Sequence, residues 1–239
     1  MTVQNAAVAA PRALILAAGR GERMRPLTDA TPKPLLTVHG KPLIVYHLEA
    51  LATAGVREVV INTAWLEDQF PAALGDGSRW GLTIHYSMEG RDHGGALETA
   101  GGIAKALPLL APQGDEVFWV VSGDVFVPGF AFDARAAQAF AASERWAELW
   151  LVPNAPHHPQ GDFGISAEGL ALSDAAEKFT WASVGLFRPA LFRDIAPGTR
   201  LPLRPKLDAA IAAQRLGAQR WHGPWTDVGT VERLDGLNR

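Results

Sequence analysis

Three cations stand close to a glycine turn near the start of the chain. The stretch runs Leu14-Ile15-Leu16-Ala17-Ala18-Gly19-Arg20-Gly21-Glu22-Arg23-Met24-Arg25-Pro26-Leu27-Thr28 and closes with Thr31-Pro32-Lys33-Pro34-Leu35. Gly19 and Gly21 let the backbone turn tightly and bring bare N–H groups against a ligand. Arg23, Arg25 and Lys33 add positive charge, and the prolines around Lys33 hold its backbone extended. Backbone donors beside fixed cations suit a polyphosphate. A plain basic loop after a strand would use the same residues. A dinucleotide-binding fingerprint needs a third glycine where Met24 stands, and a Walker phosphate loop needs a Gly-Lys-Ser/Thr that does not follow.

Two carboxylates are candidate metal ligands. Asp124 closes Ser122-Gly123-Asp124, directly after an apolar run; taken alone it reads as a turn aspartate bonding its own backbone, and metal binding is the reading that the surrounding motifs favour. Asp227 sits in Trp225-Thr226-Asp227-Val228-Gly229-Thr230; the alternative is a helix cap, a role that suits Thr230 better. His157-His158 suggests a metal at first sight. Adjacent strand residues point to opposite faces, however, and no third ligand is evident. Cysteine is absent, which removes disulfides, zinc-thiolate sites and thiol catalysis together.

These residues need a scaffold, and hydrophobic periodicity supplies one. Strands are expected at Leu14–Leu16, Glu58–Asn62, Leu82–Ser87, Val117–Val121, Trp146–Val152 and Phe179–Phe187. Helices are expected at Pro42–Ala54, Trp65–Leu74, Thr99–Leu107, Phe130–Ala142, Lys206–Leu216 and Val231–Leu237. Asn154 to Asp174 is dense in Gly, Pro, His and Asp and reads as turns and short strands. Alternating strands and helices predict an α/β fold: a Rossmann-like, mostly parallel sheet with helices on both faces. Ligands of such sheets lie at the carboxyl ends of the strands, where both the glycine turn and Asp124 fall.

The 239 residues are 48% apolar and carry a formal charge of −3. That permits one substantial core and no long basic run, so nucleic acid is not an expected partner. No apolar run is long enough to span a bilayer, and no membrane association is expected. Residues 1–12 read as a disordered leader without signal-peptide character, and residues 13–239 as one domain. Within it two parts are expected, about 13–125 and about 126–239. A cytoplasmic location is expected.

The ordered motifs Leu-x-Ala-Ala-Gly-x-Gly-x-Arg, Arg-Pro-Leu-Thr and Pro-Lys-Pro-Leu resemble those of the sugar-1-phosphate nucleotidyltransferases. The Gly-Asp at Asp124 and the Trp-x-Asp-x-Gly-Thr at Asp227 match that family too. Among its groups the chain is most similar to the uridylyltransferases acting on N-acetylmuramate 1-phosphate in cell-wall recycling. The likeness rests on Gly75–Arg79, Leu97–Thr99 and His157-His158…Gly161-Asp162-Phe163, and on a length without an added C-terminal domain. Ala100 and Trp181-Ala182-Ser183 depart from the pattern, where Gly and Phe-Ser-Gly are expected.

The resemblance implies a nucleotide-diphospho-sugar transferase fold and a Mg²⁺-dependent transfer between UTP and a sugar 1-phosphate. Arg23 would contact the β- and γ-phosphates, and Lys33 would bridge the α-phosphate and the sugar phosphate. Ala17, Ala18, Gly19, Gly21, Glu22, Thr99, Gly101 and Gly102 would line the nucleotide, with Asp124 and Asp227 on the metal. Asn154, Asp162, Ser183 and Arg204 would face the sugar. Alternatives are a mannose-1-phosphate guanylyltransferase, a glucose-1-phosphate uridylyl- or thymidylyltransferase, and a silent nucleotide-sugar-binding regulator.

Overall fold

A computed structural model describes residues 10–239. Seven strands form one sheet: β1 Ala13–Leu16, β2 Glu58–Thr63, β3 Thr83–Met88, β4 Phe118–Ser122, β5 Ala147–Val152, β6 Thr180–Phe187 and β7 Leu216–Arg220. Their order is β7-β5-β6-β4-β1-β2-β3. β1 pairs parallel with β2 and β4, β2 with β3, and β7 with β5. Only β6 runs against its neighbours, pairing antiparallel with β4 and β5.

Strand side chains alternate between the two faces. Ala13, Ile15, Val59, Ile61, Trp119 and Val121 enter one apolar cluster. Leu14, Val60, Phe118 and Val120 enter the other. A sheet apolar on both sides needs cover on both sides. Helices α1 Leu43–Thr53, α2 Gln69–Leu74 and α4 Ala134–Ala142 contribute Leu48, Phe70 and Phe140 to the first cluster. Helices α3 Glu98–Leu110 and α5 Arg204–Ala212 contribute Ile103 and Leu207 to the second. A third, small cluster joins Met24 and Val38 to Leu234 of α6, Val231–Leu237.

Several boundaries differ from the sequence expectation. The expected helix Lys206–Leu216 is α5, which ends at Ala212; Leu216 begins β7 at the sheet edge. β7 reads Leu-Gly-Ala-Gln-Arg, with no β-branched residue, and its last two residues are exposed, so it carries little strand signal. The helix expected from Phe130 begins at Ala134, after Asp133 accepts the Arg135 N–H as its cap. Phe130 and Phe132 instead make edge-on contacts with Trp119 in the core. The helix expected from Trp65 begins at Gln69, with Pro71 inside its first turn.

Most of the expected leader, residues 1–9, lies outside the described residues. Arg12 is held in place: its backbone carbonyl accepts the Trp119 N–H at 3.0 Å and its guanidinium donates to the Leu109 carbonyl. Among the described residues no helix is long and apolar enough to cross a membrane.

Candidate active site

Two neighbouring hollows open beside the glycine turn, the first of them at the carboxyl ends of β1 and β4. The first, about 350 Å³, is bordered by Ala17, Ala18, Gly19, Asn62, Thr99 and Asp124. The second, also about 350 Å³, is bordered by Gly21, Glu22, Arg23 and Gly229. Arg20 and Lys33 line both. A larger hollow of about 580 Å³ opens where the strands begin, beside Arg12, Glu116 and Arg188, and no residue of the glycine turn borders it.

The turn is fixed by its own backbone. Gly21 adopts φ +69°, and its carbonyl accepts both the Met24 N–H and the Thr28 hydroxyl at 2.9 Å. A Cβ there would be strained and would meet Thr28 Cγ2 at 3.0 Å. The Arg20 guanidinium lies 3.6 Å from the centre of the Trp65 ring and donates to Asp29 at 2.7 Å. Asp29 also pairs with Arg25, which is solvated beside the turn. Arg23 remains exposed at the rim of the second hollow.

Lys33 and Asp124 meet across the mouth of the sheet. The Lys33 ammonium bonds one carboxylate oxygen of Asp124, and the Ser122 hydroxyl donates to the other at 2.6 Å. Burial alone would push the Asp124 carboxyl up; Lys33 and the Ser122 hydroxyl outweigh it and hold it below the usual carboxylate range. Gly123 fits here because its N–H donates to Leu16 at 2.8 Å and a Cβ would press on Pro34 at 3.1 Å.

Asp227 is joined to the segment after Asp124 by a short antiparallel ladder. Thr226 and Asp227 pair with Phe126 and Val125. Nη1 of Arg233 lies 2.7 Å from each Asp227 oxygen, and His157 Nε2 is 3.0 Å from one of them. The two carboxylates offer hard oxygen donors, and the described residues contain no group of three or more His, Cys, Asp or Glu that could hold a metal. Mg²⁺ takes few protein ligands and keeps water and phosphate oxygens, so this donor set fits it.

Residues 12–180 match the profile of the Nucleotidyl transferase family. The chain belongs to that family. It is 49% identical to the N-acetylmuramate alpha-1-phosphate uridylyltransferase of Neisseria meningitidis serogroup B, over 93% of this chain and 95% of that one. It is 34% identical to the protein of the same name from Caulobacter vibrioides, over 91% of each. A crystal structure from Bacillus anthracis, provisionally named a glucose-1-phosphate thymidylyltransferase and in complex with sucrose, superposes with a TM-score of 0.79. It covers 96% of this chain and 94% of its own at 22% identity, and so supports the fold alone.

In this transferase Gly101 and Gly102 do not border the cavity, unlike Thr99. Both are buried in α3. A Cβ on Gly101 would meet the Thr199 carbonyl at 2.2 Å, and one on Gly102 would meet Glu89 Oε1 at 2.5 Å. They let the helix lie close to its neighbours. That part of the hollow is bordered instead by Ala96, Glu98, Thr99 and Arg200, with Arg200 donating to Glu98 at 2.9 Å.

The four expected sugar residues sit around the start of β6 and of α5. Asn154 bonds the Lys178 and Pro159 carbonyls and accepts from Thr180. One Asp162 oxygen accepts the Trp181 N–H at 2.8 Å, and the other lies 3.1 Å from His158 Nε2. Both oxygens are thus met by protein groups. Ser183 takes φ +58° at the irregular pairing between Trp181 and Gly185. Arg204 pairs with Asp208 and lies over the Phe163 ring. His157 and His158 turn to different carboxylates, Asp227 and Asp162.

Arg233 escaped the sequence reading. It stands in the first turn of α6, whose cap is Thr230, and nothing in its local pattern marks it. Gly229 was the available signal. A Cβ there would lie 2.4 Å from Arg233 and 3.2 Å from Arg23, so the glycine lets two guanidiniums flank one turn.

Proposed function

We propose that this nucleotidyltransferase moves the uridylyl group of UTP onto N-acetylmuramate 1-phosphate, forming UDP-N-acetylmuramic acid and releasing pyrophosphate, as a step of cell-wall recycling. The observation that carries the substrate is the 49% identity, over nearly the full length of both chains, to a relative bearing that name. Such substrates make the cytoplasm its expected compartment.

The chemistry needs no general base. An oxygen of the sugar phosphate, already ionised, forms a bond to the α-phosphorus while the bond from that phosphorus to the pyrophosphate oxygen breaks. The obstacle is repulsion between anions and charge on the leaving group, so positioning and electrostatics supply the catalysis. Lys33 serves both the α-phosphate and the incoming sugar phosphate. Arg23 meets the departing pyrophosphate, and backbone groups of Ala17 to Gly21 receive the triphosphate. Mg²⁺, held by Asp124, Asp227 and the triphosphate, would neutralise phosphate charge.

The test is a pyrophosphate-release screen crossing nucleoside triphosphates with sugar 1-phosphates. UTP with N-acetylmuramate 1-phosphate should give the highest kcat/KM, well above UTP with N-acetylglucosamine 1-phosphate. The sugars differ by a lactyl carboxylate, and a site with a cation for that group leaves it unpaired without one. His157, His158, the Gly161 backbone and Arg204 are the candidates to meet it. Equal use of both sugars, or faster turnover of mannose 1-phosphate with GTP, would overturn the substrate and leave the reaction class standing. Loss of all turnover would favour the silent regulator, although Arg23, Lys33, Asp124 and Asp227 are all present.

A further inference from the structure

Beneath the first hollow lies a polar pair that reaches both of its walls. Asn62, at the end of β2, is 2% exposed, and Glu89, just after β3, is fully buried. The Ala17 N–H is shared between Asn62 Oδ1 at 3.0 Å and the Asn62 backbone carbonyl at 3.1 Å. Asn62 Nδ2 donates to Glu89 Oε1 at 2.7 Å. The Leu97 N–H donates to Glu89 Oε2 at 2.7 Å. Three side-chain bonds thus join the exit of β1, where the glycine turn begins, to the entrance of α3.

The direction of every bond is fixed from its ends. Backbone N–H groups can only donate, so Asn62 must present its oxygen to Ala17 and its amide nitrogen to Glu89. Glu89 then accepts at both oxygens, which suits a carboxylate and not an amide. Gly102 makes room for the pair, since a Cβ there would sit 2.5 Å from Glu89 and 2.7 Å from Asn62. Packing alone would be served by apolar side chains of this size at lower desolvation cost. Ala17 to Gly19 line one side of the cavity, and Ala96, Glu98 and Thr99 line the other.

We propose that Glu89 is a positioning residue: acting through Asn62 and Leu97, it sets the spacing between the phosphate turn and the opposite wall, and so the affinity for the nucleoside triphosphate. This rests on the reading of that cavity as the nucleotide site.

The test uses four proteins: wild type, Glu89→Gln, Asn62→Asp and the double variant. Each single change places like groups together, donor against donor in the first and carboxylate against carboxylate in the second. The double change restores every pairing. The carboxylate then at position 62 accepts from both the Ala17 N–H and the amide at position 89, and the oxygen of that amide still accepts from Leu97. UTP binding with Mg²⁺ is measured by calorimetry, and KM for each substrate by pyrophosphate release. Each single variant should weaken UTP about tenfold or more, since an unmatched buried polar group is costly. KM for the sugar phosphate should stay within about twofold, and the double variant should recover most of the UTP affinity. If a single variant fails to fold, recovery of folding and UTP binding in the double supports the proposal, and failure of the double overturns it. Single variants that bind UTP like wild type, or a double no better than the singles, also overturn it. A wild type that binds no UTP would instead overturn the nucleotide reading, and the proposal with it.

Discussion

Val228 donates its backbone N–H to the carbonyl of Asp124 at 2.9 Å. That bond joins the segment before the last helix to the exit of the central strand β4. It extends the pairing of Asp227 with Val125 and brings two carboxylates from distant parts of the chain to one edge. Each carboxylate already carries a cation, Lys33 on Asp124 and Arg233 on Asp227. Such an arrangement balances charge before any substrate enters.

In the proposed reaction these two aspartates would hold Mg²⁺. Asp124→Asn and Asp227→Asn should each raise the Mg²⁺ concentration needed for half-maximal turnover by about tenfold or more, because an amide is a weaker ligand for a hard dication. A Mg²⁺ titration of pyrophosphate release checks this. Full activity of the wild type in excess EDTA would rule out the two-aspartate site.

The Lys33 stem is largely buried, its side chain 13% exposed, and its ammonium meets Asp124. Lys33→Met keeps most of the stem and removes the charge. Turnover should fall by an amount equivalent to roughly 2–4 kcal/mol of transition-state stabilisation, while the circular dichroism spectrum stays unchanged. Near-normal turnover would reduce Lys33 to a counter-ion of Asp124.

Much of this site was legible because its signals are local. The glycine turn, the Pro-Lys-Pro and the two Asp motifs each announce themselves within a few residues, and β1 to β6 carry apolar runs. What escaped depends on distant chain. β7 becomes a strand only because β5 offers it an edge. Arg233 matters only because the ladder at Asp227 folds back onto its turn. Gly102 was expected beside the base, but its missing Cβ accommodates Glu89 and Asn62. A glycine announces a close approach without naming what approaches.

Arg233 can be separated from catalysis by a stability measurement. Its guanidinium holds both oxygens of Asp227. Arg233→Gln leaves that carboxylate near Asp124 with less compensating charge. The metal-free variant should lose roughly 1 kcal/mol, or about 2–4 °C in Tm for a chain of this size. Added Mg²⁺ should then raise its Tm more than it raises that of wild type, because the ion replaces the missing cation. Thermal melts with and without Mg²⁺ decide this, and equal shifts in both proteins would sink it.

His47 gives a prediction for pH. It lies in α1, 2% exposed, with Nε2 2.9 Å from the Val125 carbonyl. Burial depresses its pKa from 6.5 to about 4, the Val125 carbonyl and the Asp124 charge opposing the shift only in part. Above pH 6.5 the imidazole is neutral in both folded and unfolded chains and costs nothing. Between pH 6.5 and about 4 the unfolded chain takes up a proton that the folded chain refuses. The unfolded state then binds more protons, so stability falls as pH falls through this window. The loss attributable to His47 should reach about 3 kcal/mol at the acid end. His47→Gln can still donate to Val125 but cannot titrate. Urea denaturation at about pH 7 and about pH 4.5, near the two ends of that window, should therefore show a smaller loss of stability for the variant than for wild type. An identical loss in both proteins would mean that the acid sensitivity of this fold arises elsewhere.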